Sequence, residues 1–344
     1  MPDKKPKVVI RADGNREIGF GHVFRCLALA QMLNKDFECW FYIQNPEPFL
    51  KAEIEKVVYG INELPNESNF GIEARQLTQH ALNGDEIVVL DGYHFDLDYQ
   101  KAIKANGNPL VFIDDLAEQH FVADVVINHA GGIQENEYSI ESYTKLLLGP
   151  RYALIRTPFV DRAKETRILK KQIEKVFISL GGIVQNKLIE DILEGLMNLS
   201  ESREINILGG SEEIKESYAS SNLESLGFKI NHYTGLDDKE VLNLMGRCQL
   251  AIAPASTLSY ELISVGIGII TGYTYHNQVK MYNGLINNDV VIGVGNIKET
   301  DSCDWQQVFK EFDLGKMNEQ VLKQKNFIDG YSGIRLINEL KSLI

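Results

Sequence analysis

Cysteine is scarce in this chain. Four occur in 344 residues, at Cys26, Cys39, Cys248 and Cys303. None is part of a CxxC pair, so neither a disulfide framework nor a zinc knuckle is expected, and we read all four as reduced core residues. No apolar run approaches the ~18–20 residues that cross a bilayer. The opening Met1-Pro2-Asp3-Lys4-Lys5-Pro6-Lys7 lacks an apolar stretch, which predicts no signal peptide and a cytoplasmic location. Asn198-Leu199-Ser200 is then an idle sequon. Basic residues are the minority: Lys and Arg total 35 against 48 Asp and Glu, a formal net charge of −13. That excludes a general nucleic-acid binder, which needs a basic face. It also means that an anionic ligand must be held by local groups, such as helix ends and glycine N–H groups. There is no GxGxxG dinucleotide fingerprint, no short repeat and no low-complexity segment.

What is present is alternation. Hydrophobic residues make up 44% and charged residues 24%, ordinary for a globular protein, and the length suggests two domains. In the first half, strands are predicted at residues 7–13, 38–43, 86–91, 110–114 and 124–128, with helices near 22–34, 47–56, 70–82 and 97–105. This is the signature of βαβ units and a mainly parallel sheet. The pattern restarts after a polar stretch, Asp161 to Glu174. New strands are predicted at 175–180, 204–208, 228–231, 249–253, 267–271 and 290–294, and helices near 187–198, 212–219, 238–246, 257–265 and 278–288. The restart predicts two doubly wound, Rossmann-like domains, residues 1–155 and 156–344. The stretch Met317 to Ile344 reads as helical with a break at Asp329-Gly330, and its last helix is a candidate to cross back onto the first domain. Two such domains leave a cleft, and strand ends pointing into it make the default site.

Five constellations carry chemistry. The first is Asp13-Gly14-Asn15 with Gly19-Phe20-Gly21-His22 and Arg25. It sits between an apolar strand and an amphipathic helix. A helix start offers N–H groups and partial positive charge to an anion, and Gly21 lets a ligand approach the backbone closely. The same field disfavours an imidazolium, so His22 is expected uncharged and able to take a proton. Arg25 lies at i+3 on the same face, where it can meet a phosphate or pair with Asp13. A plain turn with a capping histidine and a surface arginine accounts for the same letters. The second is Asp91-Gly92-Tyr93-His94-Phe95-Asp96 at a strand end. Asp91 can orient a neighbouring histidine and Tyr93 can donate to a sugar oxygen, or Asp91 caps the next turn and Tyr93 packs. Asp114-Asp115 has no third ligand at sensible spacing, so we read it as strand-end caps and expect no metal.

The third is Ser179-Leu180-Gly181-Gly182, a paired-glycine turn able to form an N–H nest for phosphate. The fourth is Ala255-Ser256-Thr257-Leu258-Ser259-Tyr260-Glu261. Ser256 or Thr257 can cap the helix and donate to a diphosphate, and Glu261, about one turn on, can accept both ribose hydroxyls. A simple cap with a surface Glu is the alternative. The fifth is His276-Asn277-Gln278, whose amides suit sugar hydroxyls and acetamido groups, or simply make a turn. His80, His120, His129 and His232 stand alone and read as structural.

Together these residues resemble a known family. Arg11-Ala12-Asp13, then Ile18-Gly19-Phe20-Gly21-His22-Val23 with Arg25-Cys26-Leu27, is similar to the opening of PseG-type hydrolases of UDP-2,4-diacetamido-2,4,6-trideoxy-altropyranose and of the SpsG-like spore-coat polysaccharide proteins. Gly149-Pro150-Arg151-Tyr152-Ala153-Leu154-Ile155-Arg156 and Phe159 resemble the interdomain segment of that family. Asp91, Tyr93, Gly181-Gly182, Ser256-Thr257, Glu261 and Asn277-Gln278 fall in the expected order. Ile183-Val184 stand where the family usually has Ser or Thr and then Asp, His94 replaces a common Gly, and Pro254-Ala255 stand where Ala/Gly-Gly is frequent.

The resemblance implies a GT-B fold akin to MurG, and hydrolysis of a UDP-sugar on the route to pseudaminic acid. It implies His22 as catalytic base, Tyr93 and Asn277 at the sugar, and Glu261 at the uridine ribose. Asp13, Gly21, Arg25 and Gln278 are further candidates on the substrate side. Gly181, Gly182, Ser256 and Thr257 are candidates on the nucleotide side. The expected reaction is inverting and needs no metal and no cofactor. The expected partner is the UDP-sugar, with no nucleic acid and no membrane. A GT-B sugar transferase, with an acceptor hydroxyl in place of water, and a nucleotide-sugar binding protein without turnover are the rivals.

Overall fold

A computed structural model describes residues 5–15, 17–181, 186–197, 199, 204–209 and 228–344. Gly182, Ile183, Val184, the helix expected at 212–219, and Asn198 and Ser200 of the sequon lie outside the described residues. The chain divides into two compact units, Met1–Thr157 with Tyr331–Ile344, and Pro158–Gly330.

The first unit is built on seven strands: β1 (Lys7–Ala12), β2 (Glu38–Gln44), β3 (Gly60–Leu64), β4 (Ile87–Asp91), β5 (Leu110–Ile113), β7 (Val125–Asn128) and β9 (Lys145–Leu148). Their order is β3-β2-β1-β4-β5-β7-β9, and every pairing is parallel. The short strands β6 (His120–Phe121) and β8 (Ser139–Ile140) form a separate pair. Parallel neighbours need crossovers, supplied by α1 (Gly21–Leu33), α2 (Pro48–Glu55), α3 (Phe70–His80) and α4 (Leu97–Ala105). The central strands are buried along their length, as expected for a sheet covered on both faces; all five residues of β4 are buried. Strand β3 escaped the sequence reading because Gly-Ile-Asn-Glu-Leu is polar and alternates poorly, and it sits at the sheet edge where burial does not demand apolar residues. Strand β9, Lys-Leu-Leu-Leu, is the other edge; it is apolar but only four residues long.

The second unit repeats the plan with six parallel strands: β10 (Lys175–Ile178), β11 (Glu204–Leu208), β12 (Lys229–Tyr233), β13 (Leu250–Pro254), β14 (Gly268–Tyr273) and β15 (Ile292–Asn296). Their order is β12-β11-β10-β13-β14-β15. The helices here are α5 (Thr157–Ala163), α6 (Asn186–Leu196), α7 (Asp238–Arg247), α8 (Thr257–Val265), α9 (Val279–Asn287), α10 (Ser302–Lys310) and α11 (Leu314–Phe327). Helices α5 and α10 were not foreseen. A seven-residue helix is too short to show a period, and α10 opens in a polar capping box at Asp301.

The final helix, α12 (Ser332–Lys341), belongs to the first unit. Lys341 pairs with Asp36 and Glu339 with Lys145, and Arg335 Nη1 donates to the Arg151 carbonyl at 3.0 Å. Three cysteines are buried as expected, but Cys303 is exposed. It lies in the first turn of α10, where its N–H donates to the Asp301 cap at 2.8 Å.

In both sheets the order reverses beside the first strand of the unit, at β1/β4 and at β10/β13. Open α/β sheets place ligands at such switch points, outside the carboxyl ends of the strands. In the first unit His22, Arg25 and Tyr93 follow β1 and β4; in the second, Gly181, Ser256, Thr257 and Glu261 follow β10 and β13, while Asn277 and Gln278 follow β14.

Candidate active site

Strand register brings the site of the first unit together. Ala12 of β1 pairs with Asp91 of β4, so the loop carrying His22 and the loop carrying Tyr93 leave the sheet side by side. Two glycines permit the crowding there. A Cβ on Gly14 would lie 2.9 Å from Val23 Cγ2, and one on Gly92 would lie 2.9 Å from His94 Cε1 and 3.1 Å from Phe95 Cε2.

His22 is the second residue of α1, whose start has no side-chain cap. Its Nδ1 lies 2.7 Å from Asp91 Oδ1 and 3.1 Å from Arg25 Nη2. The guanidinium has no lone pair to accept with, and the carboxylate contact is the shorter. Nδ1 therefore carries the proton and donates it to Asp91, which leaves Nε2 as the basic nitrogen. Nε2 has no hydrogen-bond partner among the described residues. The possibility that Asp91 orients a neighbouring histidine is thus what the geometry brings about.

Asp91 is fully buried and carries more than His22. Arg25 Nε donates to its Oδ2 at 2.6 Å and Arg25 Nη2 to its Oδ1 at 2.5 Å, while the Cys26 thiol approaches Oδ2 at 3.4 Å. Burial alone would raise the Asp91 pKa. Arg25 and His22 outweigh burial and hold it at about 2. Burial, then the Asp91 charge, push the Cys26 thiol well above its ordinary value, so it is no nucleophile. His129, deeper in the same unit, accepts from the Leu154 N–H at 3.1 Å, and burial lowers it to about 3.

Arg25 does not pair with Asp13, one of its two expected roles. Its fork is turned to two carboxylates, Asp91 and, at 3.0 Å from Nη1, Asp115 Oδ2. Asp13 instead accepts from Arg11 Nη1 at 2.5 Å and from the Gln44 N–H at 2.9 Å, with His94 Nε2 at 3.3 Å. Burial opposes its charge, but His94 and Arg11 hold its pKa well below the usual carboxylate range. His94 stacks on Phe70 at 4.1 Å between ring centroids and does not line the cavity beside His22. Tyr93 does line it, half-exposed and edge-on to His22 at 4.9 Å between ring centroids. Its hydroxyl proton goes to Asp115 Oδ2 at 3.1 Å rather than being held for a sugar oxygen.

That cavity has a volume of about 330 Å³; His22, Arg25, Tyr93, Asp114, Asp115 and Gln119 are among its walls. Asp114 behaves as the strand-end cap expected, accepting from Leu116 N and Ala117 N at 3.2 and 2.9 Å. Asp115 does not cap, and the sequence reading missed it as a site residue. The available signal was its place at the end of the strand next to β4.

Sequence reading also missed Arg11, fully buried inside β1. Its Nε and Nη2 each lie 2.8 Å from a Glu73 oxygen, and Tyr99 donates to Glu73 at 2.7 Å, with Gln44 on the same carboxylate. An arginine in an apolar strand reads as an interruption; only the distant Glu73 makes it intelligible.

In the second unit, Gly181 follows β10 with φ +72°, which suits glycine. Ser256 occupies the cap position of α8, yet its side chain makes no capping bond, and Thr257 is the first helical residue. Glu261 is buried one turn on, not on the surface. Asn277 is exposed, whereas Gln278 closes its own loop, its Oε1 accepting from Thr274 N at 2.8 Å. Among the described residues no cluster of His, Cys, Asp and Glu could hold a metal ion, and no helix is long and apolar enough to cross a membrane.

The two sheets, their strand orders and their switch points define a class. Solved structures that share the architecture include Acinetobacter baumannii MurG (TM-score 0.69, 15% identity, 98% of this chain and 99% of that one). They also include an Anabaena protein in complex with UDP-glucose (TM-score 0.61, 10% identity, 98% of each chain). The fold is α/β of the GT-B class. No family model matches the chain. It is 31% identical over 180 residues to a UDP-2,4-diacetamido-2,4,6-trideoxy-beta-L-altropyranose hydrolase of Campylobacter jejuni, covering 51% of this chain and 60% of the relative. It is 25% identical to the spore coat polysaccharide biosynthesis protein SpsG of Bacillus subtilis, over 76% of this chain and 75% of that one. An uncharacterized Methanocaldococcus jannaschii protein is 24% identical over 92% of this chain. The chain spans 65% of that archaeal relative and 60% of the Campylobacter hydrolase.

Proposed function

We propose that this chain acts on a nucleotide sugar. More finely, we propose that it hydrolyses a UDP-linked diacetamido-trideoxy sugar to UDP and free sugar, on the route to pseudaminic acid. The single observation that carries the catalytic reading is the 2.7 Å contact between His22 Nδ1 and a buried, charged Asp91. Such a dyad fixes the tautomer, leaves Nε2 to take a proton, and stabilises the imidazolium once it forms. The identity to the Campylobacter hydrolase supports the substrate class, and the GT-B fold is one used for UDP-sugars by the Anabaena neighbour.

UDP is a good leaving group, so the chemical problem is to activate water and to receive charge on the diphosphate. His22 takes the water proton as the anomeric C–O bond breaks, inverting the centre. A positioned base of this kind contributes about 10²–10⁴ in rate. Tyr93 meets the sugar beside it, with Gly21 in reach of the backbone. In the second unit, Asn277 and Gln278 are the amides we assign to sugar hydroxyls or acetamido groups. Gly181 and Gly182, together with Ser256 and Thr257 at the start of α8, are the groups we assign to the diphosphate, and Glu261 is assigned to the ribose. Asp13 and Arg25 act through their neighbours: Asp13 pins the loop after β1, and Arg25 pins Asp91. No step requires a metal or a cofactor.

The GT-B neighbours favour a second reading, transfer to an acceptor hydroxyl with the same base. Incubation with UDP-sugars separates the two. Release of UDP and reducing sugar without acceptor supports hydrolysis, acceptor-dependent release supports transfer, and binding without turnover refutes both. Loss of UDP affinity in Glu261→Ala, with folding retained, is the expected check on the nucleotide end.

A further inference from the structure

Asp115 sits at the end of β5 and is turned away from the capping role of its neighbour Asp114. Its Oδ2 accepts from the Tyr93 hydroxyl at 3.1 Å and from Arg25 Nη1 at 3.0 Å. Its Oδ1 is buried and has no hydrogen-bond partner among the described residues, so Oδ2 carries both contacts. Arg25 is held in turn by both oxygens of Asp91, which also receives the His22 proton. The chain of contacts runs Tyr93, Asp115, Arg25, Asp91, His22, and His22, Arg25, Tyr93 and Asp115 line one cavity.

From this we infer that Asp115 is a positioning residue that sets the hydrogen-bond polarity of Tyr93 toward the ligand. A phenol has one proton, and a carboxylate beside a guanidinium can only accept. The Tyr93 proton is therefore committed to Asp115, and what the hydroxyl oxygen offers a ligand is a lone pair. His22 Nε2 offers a lone pair as well. This wall of the cavity selects a ligand group that donates, an N–H or O–H, and disfavours an ether or ester oxygen or a fluorine in the same place. The inference rests on the reading of this cavity as the sugar end of a nucleotide-sugar site, and it concerns which way one hydrogen bond runs there.

The test compares wild type with Asp115→Ala and Tyr93→Phe, each first shown to melt cooperatively. Ala removes the acceptor altogether and can make no bond to the phenol, which frees the phenol proton for the cavity. Asn would not serve, because Arg25 requires an acceptor at the same oxygen that takes the Tyr93 proton. The probes are UDP, UDP-N-acetylglucosamine, its counterpart with the 2-acetamido N–H replaced by an ester oxygen, and its 3-, 4- and 6-deoxyfluoro analogues, titrated calorimetrically. In wild type, one replacement should weaken binding about tenfold, the value of one hydrogen bond of about 1.4 kcal/mol. That penalty should vanish in Tyr93→Phe and shrink or reverse in Asp115→Ala, while UDP affinity stays the same in all three. An unchanged penalty profile in Asp115→Ala overturns the inference. A neutron map of the deuterated protein reads the same polarity without ligand. A deuteron on the line from the Tyr93 oxygen to Asp115 Oδ2 is expected, and one pointing into the cavity overturns the assignment. If no UDP-sugar binds but the deuteron lies on that line, the nucleotide-sugar reading falls while the role of Asp115 stands.

Discussion

Asp91 and His22 meet at 2.7 Å although 69 residues separate them, because Asp91 ends β4 and His22 follows the strand paired with it. The contact predicts unequal effects of isosteric changes. Asp91→Asn preserves shape but can present an amide N–H to Nδ1, favouring the tautomer with its proton on Nε2. UDP release should fall by about 10²–10⁴, as for His22→Gln, with UDP affinity changed by less than about threefold. Steady-state kinetics and UDP calorimetry check this. Wild-type turnover in either variant removes His22 from the role of base.

Acid should unfold the first unit early. Asp91 is held at about 2 and Asp13 and Glu73 are also lowered, all by cationic or hydrogen-bond partners that outweigh burial. A carboxylate with a depressed folded pKa stabilises the fold above its unfolded value and loses that contribution as pH falls through the folded value. Asp91 alone should contribute on the order of 2 kcal/mol near neutral pH, fading between about pH 4 and pH 2. Urea midpoints measured across that range should drop steadily in wild type. A flat profile over the same range contradicts the pairing.

The Arg11–Glu73 pair predicts a larger, pH-independent effect near neutrality. Both side chains are buried and joined by two bonds of 2.8 Å. Removing Glu73 leaves the buried Arg11 with Asp13 as its remaining carboxylate and two of its N–H groups without their acceptors, so Glu73→Ala should cost up to about 3–5 kcal/mol. Replacing both, as Arg11→Met with Glu73→Leu, should recover only part of that loss, because Asp13 then loses Arg11 and Tyr99 and Gln44 lose their acceptor. Chemical denaturation of the single and double variants measures the difference. A Glu73→Ala protein as stable as wild type would show that water reaches Arg11.

These residues also mark the limit of what one sequence discloses. The buried central strands were legible because parallel strands covered on both faces must be continuously apolar, as Ile87-Val88-Val89-Leu90 is. His22, Tyr93 and Asp91 were legible because glycine turns after such strands announce a strand end. Edge strand β3 was not, since an edge tolerates Asn62 and Glu63. The roles of Arg11 and Asp115 depend on partners 62 and 90 residues away, and of the two roles open to Arg25 the pairing with Asp13 does not form, for the same reason. Local spacing placed Asp13 within its reach, but strand register delivered Asp91 and Asp115 instead.

Two glycine substitutions in the second unit test its packing with opposite signs. Gly195 lies in α6, and a Cβ there would stand 2.8 Å from Trp305 Cβ and 2.9 Å from both the Trp305 carbonyl carbon and Phe309 Cδ2. Trp305 and Phe309 are buried in the core on α10, so the backbone and the root of a side chain must move, not a flexible tip. Gly195→Ala gains about 0.5–1 kcal/mol of helix propensity but pays an overpacking cost of about 1–3 kcal/mol, so it should destabilise. Gly246 lies in α7, where a Cβ would meet nothing within 4 Å. Gly246→Ala should keep the whole propensity gain and stabilise by up to about 1 kcal/mol. Thermal melts of the two variants should move in opposite directions from wild type. If both rise, α6 and α10 are packed more loosely than the 2.8 Å approach requires.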